Sequence, residues 1–497
     1  MVNPVRRFFG VEYMTKPADQ KGEMVSTRTA YKNLISIALP SVAEMVLMSL
    51  IGSIDTMMVG QLGTSAIAAV GLVGQPRMLF LCLFFALNAG VTAIVARRKG
   101  EGNQDGANIT LRNALVIALG LSLLLTGVAL AFSRQVMQLA GAKADTINDA
   151  EIYFRIMMYS LPLNAVTMCI NAAQRGVGDT KITMYVNITA NLVNVFFNYM
   201  LINGNLGAPA LGVRGAAIAS VVGIFVGFIY CVIVLVRKPK KRDPFLRLTR
   251  HDSWRLDRGT LRAISKISGS AMLEQAALRI GFFTYARIVA DLGTDAFAAH
   301  QICMQFLSIS FTFGDGLAIA GTSLVGQMLG KKRPDLSMVY GKCSQRLAFT
   351  VALMLASSIV LFRFPLVSLY VTPPADTVIP TFAAGRDLMN ACLNVASNAN
   401  VYETAAKVML MVALFQPFQT SAVVYSGCLR GAGDTKYVAI IMIITVSLMR
   451  PLLSLAAIHL FGLGLLGAWS ASLIDMITRM TLSFRRFASG KWSNIKV

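Results

Sequence analysis

The chain is written twice. Residues 62–69 read Leu-Gly-Thr-Ser-Ala-Ile-Ala-Ala and residues 292–299 read Leu-Gly-Thr-Asp-Ala-Phe-Ala-Ala, an offset of 230. The same offset pairs Glu44 with Glu274, Thr92 with Thr322 and Gly100 with Gly330. Arg175-Gly-Val-Gly-Asp-Thr-Lys181 returns as Arg430-Gly-Ala-Gly-Asp-Thr-Lys436 at an offset of 255, with Pro162 matching Pro417. Gly212-Val-Arg-Gly-Ala returns as Gly464-Leu-Leu-Gly-Ala. A duplicated half predicts two similar lobes meeting at an axis.

The solvent of those lobes follows from composition. Hydrophobic residues make up 55% of the chain, charged residues 14%, and mean hydropathy is +0.61. Apolar runs long enough to cross a hydrocarbon core of about 30 Å recur along the whole length. They predict an all-α membrane protein with twelve transmembrane helices, six per half. The expected organisation is a segment 1–32, an N-lobe 33–236, a linker 237–265, a C-lobe 266–484 and a tail 485–497. An even number of spans starts both halves from the same side of the membrane. The two six-helix lobes are then related by a pseudo-twofold along the membrane normal. The growth of the offset from 230 to 255 places an insertion near 373–400 on the external side, either a cap over the inter-lobe cleft or an unspecialised loop.

Net charge is +22, and its placement gives its meaning. With the N-terminus on the cytoplasmic side, the cytoplasmic segments hold 34 of the 46 Lys and Arg residues, and the external segments hold six. This positive-inside bias predicts a multi-pass protein of the cytoplasmic (inner) membrane with both termini inside. The basic linker then reads as a topology determinant attracted to anionic lipid, and no nucleic-acid partner is expected. The seven cysteines are scattered without a CxxC, which suits small packing residues rather than a disulfide frame or metal site. No GxxxxGK[ST] phosphate loop occurs, so ATP hydrolysis within this chain is not expected. An ion gradient or passive flow remains. No cofactor and no enzymatic activity are expected.

Acids inside spans are expensive and therefore informative. Asp55 sits in the first span, with Glu44 eleven residues earlier on the same helical face and Pro40 set to bend that helix. Asn191, Asn194 and Asn198 recur at helical spacing in the fifth span. A carboxylate among carboxamides can take up a proton or hold a small cation such as Na+, or it can clamp two helices together. In the second lobe Glu274 repeats Glu44, whereas Tyr285 stands where Asp55 would repeat. His300 and Gln301 follow, and Asp315 lies deep between Gly314 and Gly316, as a substrate or ion contact or as a local clamp. Asp475 and Arg479 are four residues apart and are expected to pair with each other. Arg279, Arg287 and Arg450 are expected to pair with acids or to snorkel.

These segments together resemble the multidrug and toxic compound extrusion (MATE) family. The resemblance rests on Ile-Asp-Thr-Met-Met-Val-Gly, on the two Leu-Gly-Thr-x-Ala-x-Ala-Ala and two Arg-Gly-x-Gly-Asp-Thr-Lys stretches, and on Thr322-Ser-Leu-Val-Gly-Gln327. It covers residues 33–484 and implies an antiporter, driven by H+ or Na+, that exports amphipathic and often cationic drugs or toxic metabolites. It places the family's first-span acid on Asp55, its helix-bending proline on Pro40, its fifth-span Asn on Asn194 and its seventh-span acid on Glu274. Where some members carry Asp four residues after that Asn, this chain has Asn198, and residues 404–433 lack the family's tenth-span acid. Ion coupling is thus expected at Asp55, Asn194, Asn198 and Glu44, and a substrate cleft at Glu274, Tyr285, Gln301 and Asp315. A monomer is expected. The alternative is a lipid-linked oligosaccharide flippase of the same superfamily, for which a more basic central cavity would be expected.

Overall fold

The computed structural model describes residues 4–60, 62, 64–142, 146–237, 244–249, 253–371 and 399–495. The expected insertion at 373–400 lies almost wholly outside them. The described residues are helical, with no strand among them. The first lobe is built of α1 (Thr27–Gly60), α2 (Thr64–Gly100), α3 (Gln104–Ala131), α4 (Ile147–Tyr159 continued by Leu161–Val177), α5 (Thr180–Ile202) and α6 (Gly212–Val236). The second is built of α7 (Arg258–Ala290), α8 (Thr294–Gly330), α9 (Pro334–Ser368), α10 (Ala399–Gly431), α11 (Thr435–His459) and α12 (Gly464–Ala488). Two of these rods depart from simple helices. The limbs of α4 meet at 50°. In α11 the stretch Ile443–Met449 is π-helical, which re-aims the side chains that follow it.

Eight helices among the described residues are long and apolar enough to cross a bilayer unaided, and the bent α4 makes a ninth. The other three, α5, α7 and α12, carry the interior polar groups: four asparagines on α5, Glu274 on α7, and Asp475 with Arg479 on α12. Their polarity is tolerable because those side chains face other helices rather than lipid.

Within the first lobe α5 packs on α1 and α6, and α4 packs on α2 and α3. Within the second, α10 is the hub for α8, α9 and α12. The duplication survives at the level of single bonds. Thr92 Oγ1 donates to the Ala172 carbonyl at 3.0 Å, and its repeat partner Thr322 Oγ1 donates to the Gly427 carbonyl at 2.8 Å. Each Arg-Gly-x-Gly-Asp-Thr-Lys segment closes a helix through a left-handed glycine, Gly178 at φ 85° and Gly433 at φ 87°.

The lobes meet through α1 and α2 on one side and α7 and α8 on the other. Hydrophobic association is weak inside a bilayer, so such contacts depend on close backbone approach. A β-carbon on Gly326 of α8 would sit 2.8 Å from Ala96 Cβ on α2, and one on Gly316 would sit 2.6 Å from Val42 on α1. Ser323 Oγ and Gln327 Nε2 donate to the Gly176 carbonyl at 3.1 and 3.0 Å. These contacts run toward the end of the molecule that carries Arg97, Arg98, Lys99, Lys331 and Lys332, here termed the basic end. The chain's own ends strap it further: Lys342 reaches the Met14 carbonyl at 2.5 Å, and Arg97 donates to the Ile495 carbonyl at 2.7 Å.

Candidate functional site

Five helices of the first lobe converge on Asp55. Asn198 Nδ2 donates to Asp55 Oδ1 at 2.8 Å. The amide orientation of Asn194 that satisfies both of its ends directs Nδ2 onto the two Asp55 oxygens, at 3.0 and 2.9 Å, while its oxygen accepts from Ser220. The shared face of Asn194 and Asn198 follows from their four-residue spacing on α5. A cavity of about 160 Å³ opens beside the carboxylate, lined by Asp55, Tyr153, Asn198 and Ser220 with Val59, Val70, Gly71 and Ala216. Among the described residues no cationic side chain pairs with Asp55; Arg77 lies near Tyr153 instead. The site is therefore a carboxylate held by neutral donors beside water-sized space, a donor set that suits a proton or a small hard cation. Asn191 turns away and donates to the Asn187 carbonyl at 2.7 Å. Tyr153 and Ser220 were not singled out in the sequence, because they reach the site from other helices.

Glu44, expected to share in ion coupling, is fully buried and already satisfied. It accepts from Arg175 at 2.5 Å, Asn187 at 2.6 Å and Thr183 at 3.0 Å. The second lobe repeats the arrangement, with Arg430 Nη1 2.7 Å from Glu274 Oε1. The two repeat offsets thus meet in space: 230 relates the acids and 255 the arginines. Glu274 is 1% exposed and Tyr285 3% exposed, so in this conformation neither opens on the cleft between the lobes. Tyr285 packs instead against His300, with ring centroids 5.5 Å apart. Gln301 and Asp315 do have open faces, and Asp315 lies within electrostatic reach of the Glu274–Arg430 pair.

One expected pair is corrected. Asp475 does not bind Arg479 along its own helix. It accepts from Arg450 of α11, from Nε at 2.9 Å and from Nη2 at 2.5 Å. The π-helical turn just before Arg450 accompanies this aim across to α12, where one fork reaches the carboxylate twice. Arg479 turns to the sulfurs of Met442 and Met476. Arg287 forms an exposed pair with Asp291 at 3.4 Å, and Arg279 has no ion pair among the described residues.

Comparison with known proteins agrees with this architecture. The MatE family model matches residues 40–200 and 270–455. A probable multidrug resistance protein NorM of Thermotoga maritima is 27% identical over 468 residues, covering 93% of each chain. The multidrug resistance protein MdtK of Edwardsiella ictaluri is 24% identical, covering 83% of this chain and 84% of its own. Among solved structures, an outward-facing multidrug resistance MATE family transporter of the MOP superfamily superimposes with a TM-score of 0.81 at 21% identity, over 93% of this chain and 97% of that one. A MOP superfamily transporter from Pyrococcus furiosus does so with a TM-score of 0.81 at 21% identity, over 97% and 98%. At that identity the structures speak for the fold alone.

Proposed function

The chain belongs to the MatE family, and from that premise we propose that it exports amphipathic, often cationic, organic compounds in exchange for H+ or Na+. The observation that carries this reading is the Asp55 site: a carboxylate in a transmembrane helix, faced by two asparagines and beside a cavity, with no cation of its own among the described residues. Such a group gains much from a bound proton or sodium ion and little from staying bare. Glu44 already has Arg175 and is an anchor for α1 rather than an ion ligand.

The positive-inside charge split supports a cytoplasmic basic end, and the close packing of that end supports an outward-open conformation. An ion bound at Asp55 and a substrate bound between the lobes exchange when each favours the state that disfavours the other. The multidrug resistance relatives named above support a range of drug-like substrates. The test is dye efflux from cells, with the proton and sodium gradients collapsed separately. Wild-type efflux should stop when one gradient is collapsed, and Asp55→Asn should stop it outright while expression and insertion stay normal. Gradient-dependent efflux by well-inserted Asp55→Asn would exclude Asp55 as the coupling group.

A further inference from the structure

The basic end carries a second cavity, of about 430 Å³, a volume in the range of small-molecule sites. Its cations come from both lobes. Arg98 lies in the last turn of α2, Arg262 and Lys266 stand four residues apart on one face of α7, and Lys436 lies in the first turn of α11. The tail adds Ile495, whose carbonyl Arg97 holds at 2.7 Å. Among the described residues none of the four cationic side chains makes an ion pair or a hydrogen bond.

The acids nearby are engaged elsewhere. Asp434, the acid of the lining, accepts from Arg486 Nε at 2.6 Å. Asp257 is within electrostatic reach of Arg98 but caps α7 through the Thr260 amide. Asp434 stands at the N-cap of α11 without capping it, so the amides of Thr435 and Lys436 leave the positive end of that helix at the cavity wall. The repeat supplies the contrast. At the corresponding positions stand Met328, Lys32, Ser36 and Lys181. There Met328 is buried in one apolar cluster with Val11 and Met14 of the N-terminal segment. The duplication has diverged at this point, with apolar packing on one side and an open cationic cavity on the other.

We propose that the cavity binds a phosphate-bearing anion, supplied by the headgroup of an anionic phospholipid or by a free phosphate compound. Arginine forks, lysine ammoniums and helix-start amides together suit the several oxygens of a phosphate. The cavity lies where α2 ends and α7 and α11 begin, the level of lipid headgroups. Because its lining comes from both lobes, the site is complete only while the basic end is closed.

Purified, delipidated protein in a non-ionic detergent is titrated with phosphatidylglycerol, phosphatidylcholine or inorganic pyrophosphate, and bound adducts are counted by native mass spectrometry. Phosphatidylglycerol or pyrophosphate should bind about tenfold or more tightly than phosphatidylcholine. Arg262→Gln, Lys266→Gln and Lys436→Gln combined should weaken that ligand about 100-fold, roughly fivefold per cation. Arg98→Gln alone should cost about fivefold, the share of the first lobe. Lys32→Gln combined with Lys181→Gln removes charge at the repeat positions and should change affinity by less than about twofold. Should the triple variant fold poorly, Lys266→Gln alone must still cost roughly fivefold. Binding of phosphatidylglycerol makes lipid the source, and binding of pyrophosphate alone makes it a soluble phosphate. The proposal is overturned if neither outbinds phosphatidylcholine, if the triple variant binds like the wild type, or if the Lys32 and Lys181 variant weakens binding as much. Binding is read without transport, so its outcome leaves the efflux reading untouched.

Discussion

Each half of the chain pairs its buried glutamate with the arginine of its own glycine-rich turn, Glu44 with Arg175 and Glu274 with Arg430. A buried pair adds little net stability when it is intact, but removal of one partner strands the other charge. The partners are unequal. Glu274 is 1% exposed at its side chain, whereas Arg430 keeps 23% and can reach water if released. Arg430→Met should therefore be the harsher change, destabilising the fold by about 3 kcal/mol. Glu274→Gln should cost less, and the double variant less than the sum of the two. Thermal unfolding midpoints of the three purified variants check this. Equal losses in the two single variants, with a fully additive double, would dismiss the pair as a structural unit.

At the scale of whole elements, α7 shows how a local rule sets a helix start. Asp257 stands at its N-cap and accepts from the Thr260 amide at 2.7 Å. That backbone hydrogen bond, reinforced by the Thr260 side chain, holds the Asp257 carboxyl below its ordinary range. A depressed acid contributes stability above its unfolded pKa, near 3.9, and loses it as pH falls through the lower folded value. Asp257→Ala should thus destabilise by about 1 kcal/mol at neutral pH, while Asp257→Asn keeps most of the cap. The gap between wild type and Asp257→Ala should narrow as pH drops from about 5 toward 3. A gap in melting midpoint that stays constant over that range would show that the carboxylate is not the capping species.

Elements also mark what was legible in the residues. Relations within one helix obey a period of 3.6, so Asn194 and Asn198 on one face of α5, and Asp55 with Glu44 on α1, were readable directly. Relations between helices are not periodic. Nothing in the order of residues says that Arg450 rather than Arg479 reaches Asp475, because a π-helical turn contributes to that aim. The repeat does carry such information, since the Glu44 and Glu274 pairs become visible once both offsets are taken together. The two lobes were legible, and the partners across helices only where the repeat doubles them.

For the molecule as a whole, the closed basic end is the element that the proposed exchange would have to open. Its seam is asymmetric despite the repeat. Ser323 and Gln327 of the second lobe clasp the Gly176 carbonyl of the first, whereas their repeat positions in the first lobe are Ala93, which has no side-chain donor, and Arg97, which donates to the Ile495 carbonyl instead. Two neutral hydrogen bonds of this kind contribute about 2 kcal/mol together. Ser323→Ala combined with Gln327→Ala should then shift the equilibrium between closed and open basic ends by roughly 30-fold. Such a shift is visible if the closed state is favoured by a few kcal/mol, a usual gap for two-state proteins. Spin labels at the exposed Glu101 and Lys331, at the basic ends of α2 and α8, report it as a distance distribution. The clasp variant should populate a longer distance that is rare in the wild type. A distribution identical to that of the wild type would mean that the glycine contacts of Gly326 and Gly330 hold the seam without the clasp.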